Sequence, residues 1–136
     1  MDKTNIGLTF RITADRFDTD LISQQLNIQP TKTRIKGNTI SQNNTHKYTF
    51  TSWELGPTRK DSMDINDSLN QIIVLLKGKE DKLLAIKQQL HDVNFIFGFF
   101  VYVENSEIPS IYFETSSIAF INSIQAEIDI DFYINS

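Results

Sequence analysis

Apolar and polar residues alternate along several segments of the chain, and a period of two residues is typical of strands that bury one face. In the first such segment, Ile6, Leu8 and Phe10 alternate with small or polar residues. The segment 95–104 is apolar on both alternating faces, which indicates a strand in the middle of a sheet or at an interface. The predicted strands are 6–12, 31–36, 47–55, 95–104, 110–115 and 127–134.

Four other segments repeat apolar residues at the spacing of an α-helix, and most of them follow a residue that commonly caps helices. The first predicted helix runs from a cap at Asp18 or Thr19 to a stop before Pro30, and the second from a cap at Asp64 or Asn66 to Gly78. The third covers about 80–92. The fourth runs from a cap at Ser116 or Ser117 to about Gln125.

This order of elements predicts an α+β fold with a single, mainly antiparallel sheet of about five to six strands and with helices packed on one face. The segments 12–35 and 113–134 both read as strand, short capped helix and strand. This weak internal similarity suggests a pseudo-duplicated, ferredoxin-like arrangement.

The length of 136 residues predicts a single domain over 1–136, large enough to bury about two-thirds of its unfolded surface. The chain contains no cysteine, which excludes disulfides and thiolate metal sites. Its first residues do not form the apolar run of a signal peptide, and its longest apolar stretch, 95–103, is too short to cross a membrane. We therefore expect a cytoplasmic protein that does not associate with membranes.

Charge is unevenly distributed along the chain, whose net charge is −4. Residues 1–60 contain nine Lys and Arg against five Asp and Glu, a balance of +4, whereas residues 61–136 contain four against twelve, a balance of −8. Such an asymmetry suits either a charged partner or two halves that complement each other within one fold. The negative total argues against a dedicated binder of duplex DNA, whose footprint is normally strongly basic.

Two stripes of opposite charge follow predicted strands. The basic stripe is Lys32, Arg34 and Lys36, and the acidic stripe is Glu127, Asp129 and Asp131. Successive members of a stripe lie on one face, about 7 Å apart. If the two strands are neighbours, the stripes can pair, and each exposed pair contributes a few tenths of a kcal/mol. If the strands lie apart, the fold carries a basic and an acidic patch suited to a charged partner protein.

Other residues offer weaker signals for binding. Trp53 could stack a base or a ligand, although a lone tryptophan in a β-rich segment is more often part of the core. Gly98 leaves a gap on one face of its strand that could admit a ligand or a partner backbone, and packing against a helix explains the gap equally well. Arg59 and Lys60 would extend the basic stripe if the loop that carries them folds back.

No combination of residues predicts catalysis. There is no cysteine, no glycine-rich phosphate loop, and no metal-ligand spacing around His46 and His91. The acidic stripe could form an acid–base pair or a hard-cation site, but a solvated face is the favoured interpretation. We predict no enzyme activity, no catalytic, cofactor-binding or metal site, and no cofactor.

Several stretches together resemble a family of small bacterial domains of unknown function. They are F-R-I near the start, L-I-S-Q-Q-L-N-I-Q-P-T followed by K-G, Trp53 in W-E-L, two amphipathic helices, and D-I-D-F-Y near the end. The most specific positions are Ile28, Pro30 and Thr31 with Gly37, the tryptophan, and the acidic last strand. The resemblance covers nearly the whole chain and implies a soluble, single-domain bacterial protein with no activity to carry over. By analogy, such domains often act as immunity-type proteins that neutralise a toxin by contact.

We therefore predict a small binding domain that acts by protein–protein contact and whose role is immunity-like. The alternative is binding of a small ligand or anion, or weak binding of nucleic acid, through the basic strand face. The candidate binding residues are Lys32, Arg34, Lys36, Trp53, Glu127, Asp129 and Asp131. The oligomeric state stays open, and a homo-oligomer is one of the alternatives.

Overall fold

Five of the six predicted strands assemble into one open, mixed sheet in the computed structural model, which describes residues 3–42, 45–60 and 63–135. The strands are β1 (Asn5–Ala14), β2 (Lys32–Arg34), β3 (Thr51–Lys60), β4 (Asn94–Glu104) and β5 (Glu127–Asn135). They lie in the order β2-β3-β1-β4-β5. The pairs of β1 with β3, β1 with β4, and β2 with β3 are antiparallel, and only β4 with β5 is parallel.

The described residues also form four helices, as the periodicity predicts. They are α1 (Thr19–Leu26), α2 (Ile65–Leu76), α3 (Glu80–Gln89) and α4 (Thr115–Ser123). Asp18 and Asp64 cap α1 and α2, because each carboxylate accepts a hydrogen bond from the backbone N–H two residues further on. Of the helices that the structure describes, none has the length and apolar character needed to span a membrane. The mixed sheet of five strands and the four helices confirm the α+β class.

The predicted strand at 110–115 does not form, and a buried asparagine explains why. Asn66, at the start of α2, donates from Nδ2 to the carbonyl of Tyr112 at 3.1 Å, and its Oδ1 accepts from the N–H of Glu114 at 3.5 Å. These backbone groups are thus satisfied by a side chain rather than by a strand ladder. The second copy of the suggested internal repeat consequently lacks its first strand, and the strand order shows no duplication.

The core lies between the helices and one face of the sheet. Phe10 at the centre of β1 packs against Phe95 and Phe97 of β4, with ring centroids 5.9 and 5.0 Å apart. On α2, Ser68 donates to the carbonyl of Ile6 at 3.0 Å and holds that helix on the central strand. Because side chains alternate along a strand, the residues between these core positions lie on the other face, which the described helices leave uncovered. We call it the open face.

The two charged stripes lie at opposite edges of the sheet. Lys32 and Arg34 are in the edge strand β2, whereas the acidic stripe is in the edge strand β5, and three strands separate them. At about 4.8 Å per strand step, the two edges are roughly 19 Å apart. The stripes therefore do not pair across neighbouring strands, and the fold carries charge of opposite sign at its two edges.

Candidate functional site: the open face of the sheet

One row of residues crosses all five strands on the open face and defines its layout. In register from edge to edge the row is Lys32, Glu54, Arg11, Ile96 and Glu127. Charge alternates along the first three positions, which places opposite charges side by side. The centre of the face is therefore polar, with the basic edge on one side and the acidic edge on the other.

The basic edge is largely compensated by a buried carboxylate. Nε of Arg34 donates to Oε2 of Glu54 at 2.9 Å, and Oγ of Ser52 donates to the same oxygen at 2.7 Å. The Glu54 side chain is only 8% exposed, whereas that of Arg34 is 36% exposed. The guanidinium of Arg34 also lies over the ring of Tyr48, 5.6 Å from its centroid. Arg34 is thus held in place by contacts within the chain.

Lys36 lies beyond the end of β2 and has its own partner. Its Nζ donates to the carboxylate of Asp15 at the end of β1, and this hydrogen bond lowers the pKa of Asp15 below its ordinary value. Its backbone N–H donates to Oγ1 of Thr51 at 3.2 Å. Of the basic stripe, Lys32 is the exposed member. The side chains of Arg59 and Lys60, expected nearby, lie outside the part that the structure describes.

The gap at Gly98 is filled by an arginine from the neighbouring strand. A Cβ atom at Gly98 would lie 3.0 Å from Nη2 and 3.3 Å from Cζ of Arg11, so the guanidinium lies across β4 at this point. It reaches Asp129 on β5, with Nη2 4.0 Å from Oδ2. The glycine thus admits neither a helix nor a partner backbone here, because Arg11 occupies the space. Arg11 is the central residue of the face, and no sequence signal singles it out without the strand order.

Two depressions lie side by side on the open face and share Arg11, Arg34 and Glu54. The larger, of about 490 Å³, opens towards the end of β1 and includes Asp15 and Asp92 in its wall. The smaller, of about 310 Å³, opens towards the acidic edge and is lined by Lys32 and by aromatic side chains of β4 and β5. The larger volume falls within the range of small-molecule sites, and the smaller lies at the lower end of that range.

The acidic edge is less compensated than the basic one. Glu127 and Asp131 are exposed and have no ion pair within the described ranges, and Asp129 is 58% exposed despite its contact with Arg11. The other side of β5 exposes Ile128, Phe132 and Ile134 by 40%, 48% and 72%. The strand pairs with β4 alone among the described strands. This edge is thus long, acidic on one side and apolar on the other.

Trp53 lies in the core rather than on the open face. It is fully buried, and its Nε1 donates to Oγ of Ser23 on α1 at 3.0 Å. Trp53 is therefore a core residue, which is the more common role of a lone tryptophan in a β-rich segment. A ligand on the open face does not contact its ring.

The residues of possible catalytic interest are not brought together. Neither His46 nor His91 lines the two depressions of the open face. Among the described residues there is no group of three or more His, Cys, Asp or Glu side chains that could hold a metal ion.

The fold and the face together define an α+β domain in which the described helices cover one surface of the sheet and not the other. The chain belongs to the family DUF4279, a domain of unknown function, whose family model matches residues 3–135. This confirms that the chain is a domain of unknown function, as the resemblance implies, while a bacterial origin stays a prediction. No curated protein and no solved structure matches the chain significantly.

Proposed function

We propose that this domain binds a partner protein along β5, where an extended basic segment of the partner adds to the edge of the sheet. One observation carries the proposal: β5 is a nine-residue edge strand whose side chains are exposed at nearly every position. Edge strands of soluble proteins are usually short, interrupted or covered, because their free N–H and C=O groups attract other strands. A long and exposed edge is therefore a natural site for strand addition.

Charge supports a basic partner. Within the described part of the chain, Arg11 contacts Asp129 but no cation contacts Glu127 or Asp131. Of the cations at the opposite edge, Arg34 is paired with Glu54 and Lys36 with a second carboxylate near the end of β1, whereas Lys32 is exposed. A partner strand with Lys or Arg at alternate positions would place its cations beside the acidic stripe.

The apolar side of β5 supports an alternating partner sequence. Ile128, Phe132 and Ile134 are exposed on the side opposite the carboxylates. A partner strand with apolar residues between its cations would cover them and remove their surface from water. Self-association is less favourable, because a symmetric pair of β5 strands would bring two acidic stripes together, and like charges in opposite positions destabilise a strand pair.

The test is a titration of the full chain with a capped peptide that alternates lysine and valine, followed by amide NMR shifts. A scrambled peptide of the same composition is the control. We expect shifts concentrated in β5 for the alternating peptide. Asp131→Lys should weaken binding by about fivefold or more. Asp20→Lys makes the same charge change at an exposed position of α1, which packs on β3 and α3 rather than on β5, and it should leave the affinity nearly unchanged.

Three outcomes would overturn the proposal. The first is no binding at low salt, and the second is an equal loss in both charge variants, which would reflect overall charge rather than a site. The third is a stable dimer in light scattering with β5 protected at its interface, because a second copy would then be the occupant.

An immunity role stays a prediction within this proposal. Its test is whether a partner captured by the wild-type chain, but not by the Asp131→Lys variant, is a toxin whose activity the chain inhibits.

A further inference from the structure

The smaller depression of the open face combines aromatic rings and cations, and it lies apart from the outer edge of β5. Its aromatic side is formed by Phe100, Tyr102 and Tyr133. The rings of Tyr102 and Tyr133 stack with centroids 5.1 Å apart and planes inclined by 16°. Tyr133 is 49% exposed, so part of this ring pair remains open to solvent. A flat ring can therefore pack on this side of the depression.

The opposite side and the floor of the depression are positively charged. Lys32, Arg34 and Arg11 line it together with one carboxylate, that of Glu54, so three cations against one anion give +2. This local charge is opposite in sign to the −4 of the whole chain. The single carboxylate is already held by Arg34 and Ser52. A second carboxylate, that of Asp129, lies 4.0 Å from Nη2 of Arg11 but does not line the depression, so an entering anion still meets an excess of cations.

The floor also retains unused hydrogen-bonding capacity. Nε of Arg11 and Oγ1 of Thr9 are buried and have no hydrogen-bond partner within the described part of the chain. Buried polar atoms are normally paired, and unpaired ones commonly mark a place where water, an ion or a ligand binds. Both residues line this depression. The unpaired atoms thus lie beside the same space as the cations and rings.

We propose that this depression binds a small aromatic anion, whose ring stacks beside Tyr102 and Tyr133 and whose acid group contacts Lys32 and Arg11. The volume of about 310 Å³ admits a ligand of this size. A nucleic-acid strand fits the face less well, because its further phosphates would meet the acidic stripe on β5. The ligand class includes nucleoside monophosphates and aromatic carboxylates, which share a planar ring and an anionic group.

Calorimetric and NMR titrations of the full chain with four probes test this assignment. Adenosine 5′-monophosphate and indole-3-acetate represent the two sources of an aromatic anion. Adenosine supplies a ring without the charge, and inorganic phosphate supplies the charge without a ring. We expect at least one aromatic anion to bind with a Kd below about 1 mM, and both half-ligands to bind at least about tenfold more weakly. Which of the two anions binds identifies the source.

Variants with matched controls separate this site from general charge or hydrophobic effects. Lys32→Ala and Tyr133→Ala should each weaken binding by about fivefold or more, since one loses the cation and the other the stacking surface. Lys82→Ala and Tyr112→Ala remove an exposed lysine and an exposed tyrosine elsewhere and should leave binding unchanged. Circular dichroism confirms that each variant is folded.

Three results would overturn the inference. In the first, none of the aromatic anions binds at low salt. In the second, phosphate binds as tightly as the nucleotide, which would reduce the site to a cation cluster. In the third, a single-stranded oligonucleotide binds more tightly than its monomer, which would make the face a nucleic-acid surface. Failure of this inference and failure of the partner proposed for β5 are distinguishable, because Lys32→Ala changes the far edge of the sheet and the alternating peptide is not among the probes.

Discussion

The ion pair between Arg34 and Glu54 predicts that a substitution at Glu54 stabilises a protein that has already lost Arg34. Arg34→Ala removes a cation from a carboxylate that is 8% exposed, and Ser52 then remains as its hydrogen-bond donor. Removal of one partner from a fully buried ion pair costs about 3–5 kcal/mol. Arg34 is 36% exposed, so solvent screening reduces this figure, and we expect the variant to lose about 2 kcal/mol.

The reverse substitution should cost less. Glu54→Gln leaves Arg34 with access to water, and the glutamine oxygen can still accept from Ser52, so we expect a loss of about 1 kcal/mol or less. The double variant should be more stable than Arg34→Ala alone, because the carboxylate that lost its partner is now neutral. The second substitution thus stabilises a protein that carries the first one.

Urea unfolding followed by the fluorescence of Trp53, the one tryptophan of the chain, measures these free energies. Lys82→Ala is the control: it removes an exposed cation from α3, away from Glu54, and its effect should stay within about 0.5 kcal/mol. If the two substitutions at 34 and 54 are additive, or if Arg34→Ala costs no more than the control, the carboxylate does not depend on the guanidinium and the reasoning fails.

Three further predictions concern other contacts. Gly98→Val should destabilise the protein by about 1–3 kcal/mol, because the new side chain overlaps the guanidinium of Arg11. The same substitution should cost clearly less in an Arg11→Ala background, and equal costs in urea unfolding would contradict this explanation. The Lys36 hydrogen bond lowers the pKa of Asp15, so its stabilisation is present above the ordinary value of 3.8 and is lost as the pH falls through the folded value. Lys36→Ala should therefore flatten the acid limb of the stability profile, and an unchanged limb would refute the coupling. Trp53→Phe should cost about 1–3 kcal/mol in unfolding yet leave binding of the aromatic anion unchanged, whereas a loss of binding in a folded variant would place this residue in the site.

Local patterns were enough to predict most elements of the fold. The alternation in 6–12 and 95–104 yields β1 and β4, and capping carboxylates such as Asp18 locate the helix starts. The segment 110–115 shows where such patterns fail. Its composition favours a strand, but its backbone bonds to Asn66, which lies more than forty residues earlier. A tertiary contact of this kind cannot be predicted from the sequence pattern of the segment itself.

The candidate site was predictable only in part, because its layout depends on strand order. The charged stripes could be read from alternation, whereas their positions at opposite edges could not. Arg11 and Gly98 become partners only because β4 lies directly beside β1, although the two residues are 87 positions apart in sequence (98 minus 11). The adjacency of β4 and β5 likewise brings Tyr102 and Tyr133 into one surface. A polar residue on an alternating strand can be recognised as part of a site only when its neighbours across the sheet are known.

The central position of β1 has a consequence for how the chain folds. β1 is the first strand in sequence, yet its register pairs Asn5 with Tyr102 and Thr13 with Asn94. Contacts at such separations must wait until most of the chain is available, and folding slows as the mean separation of contacting residues grows. We therefore expect slow folding for a protein of this size. In a nascent chain, β1 would expose its apolar face and one unpaired edge until β4 has been synthesised, which makes this interval the one most open to misassembly.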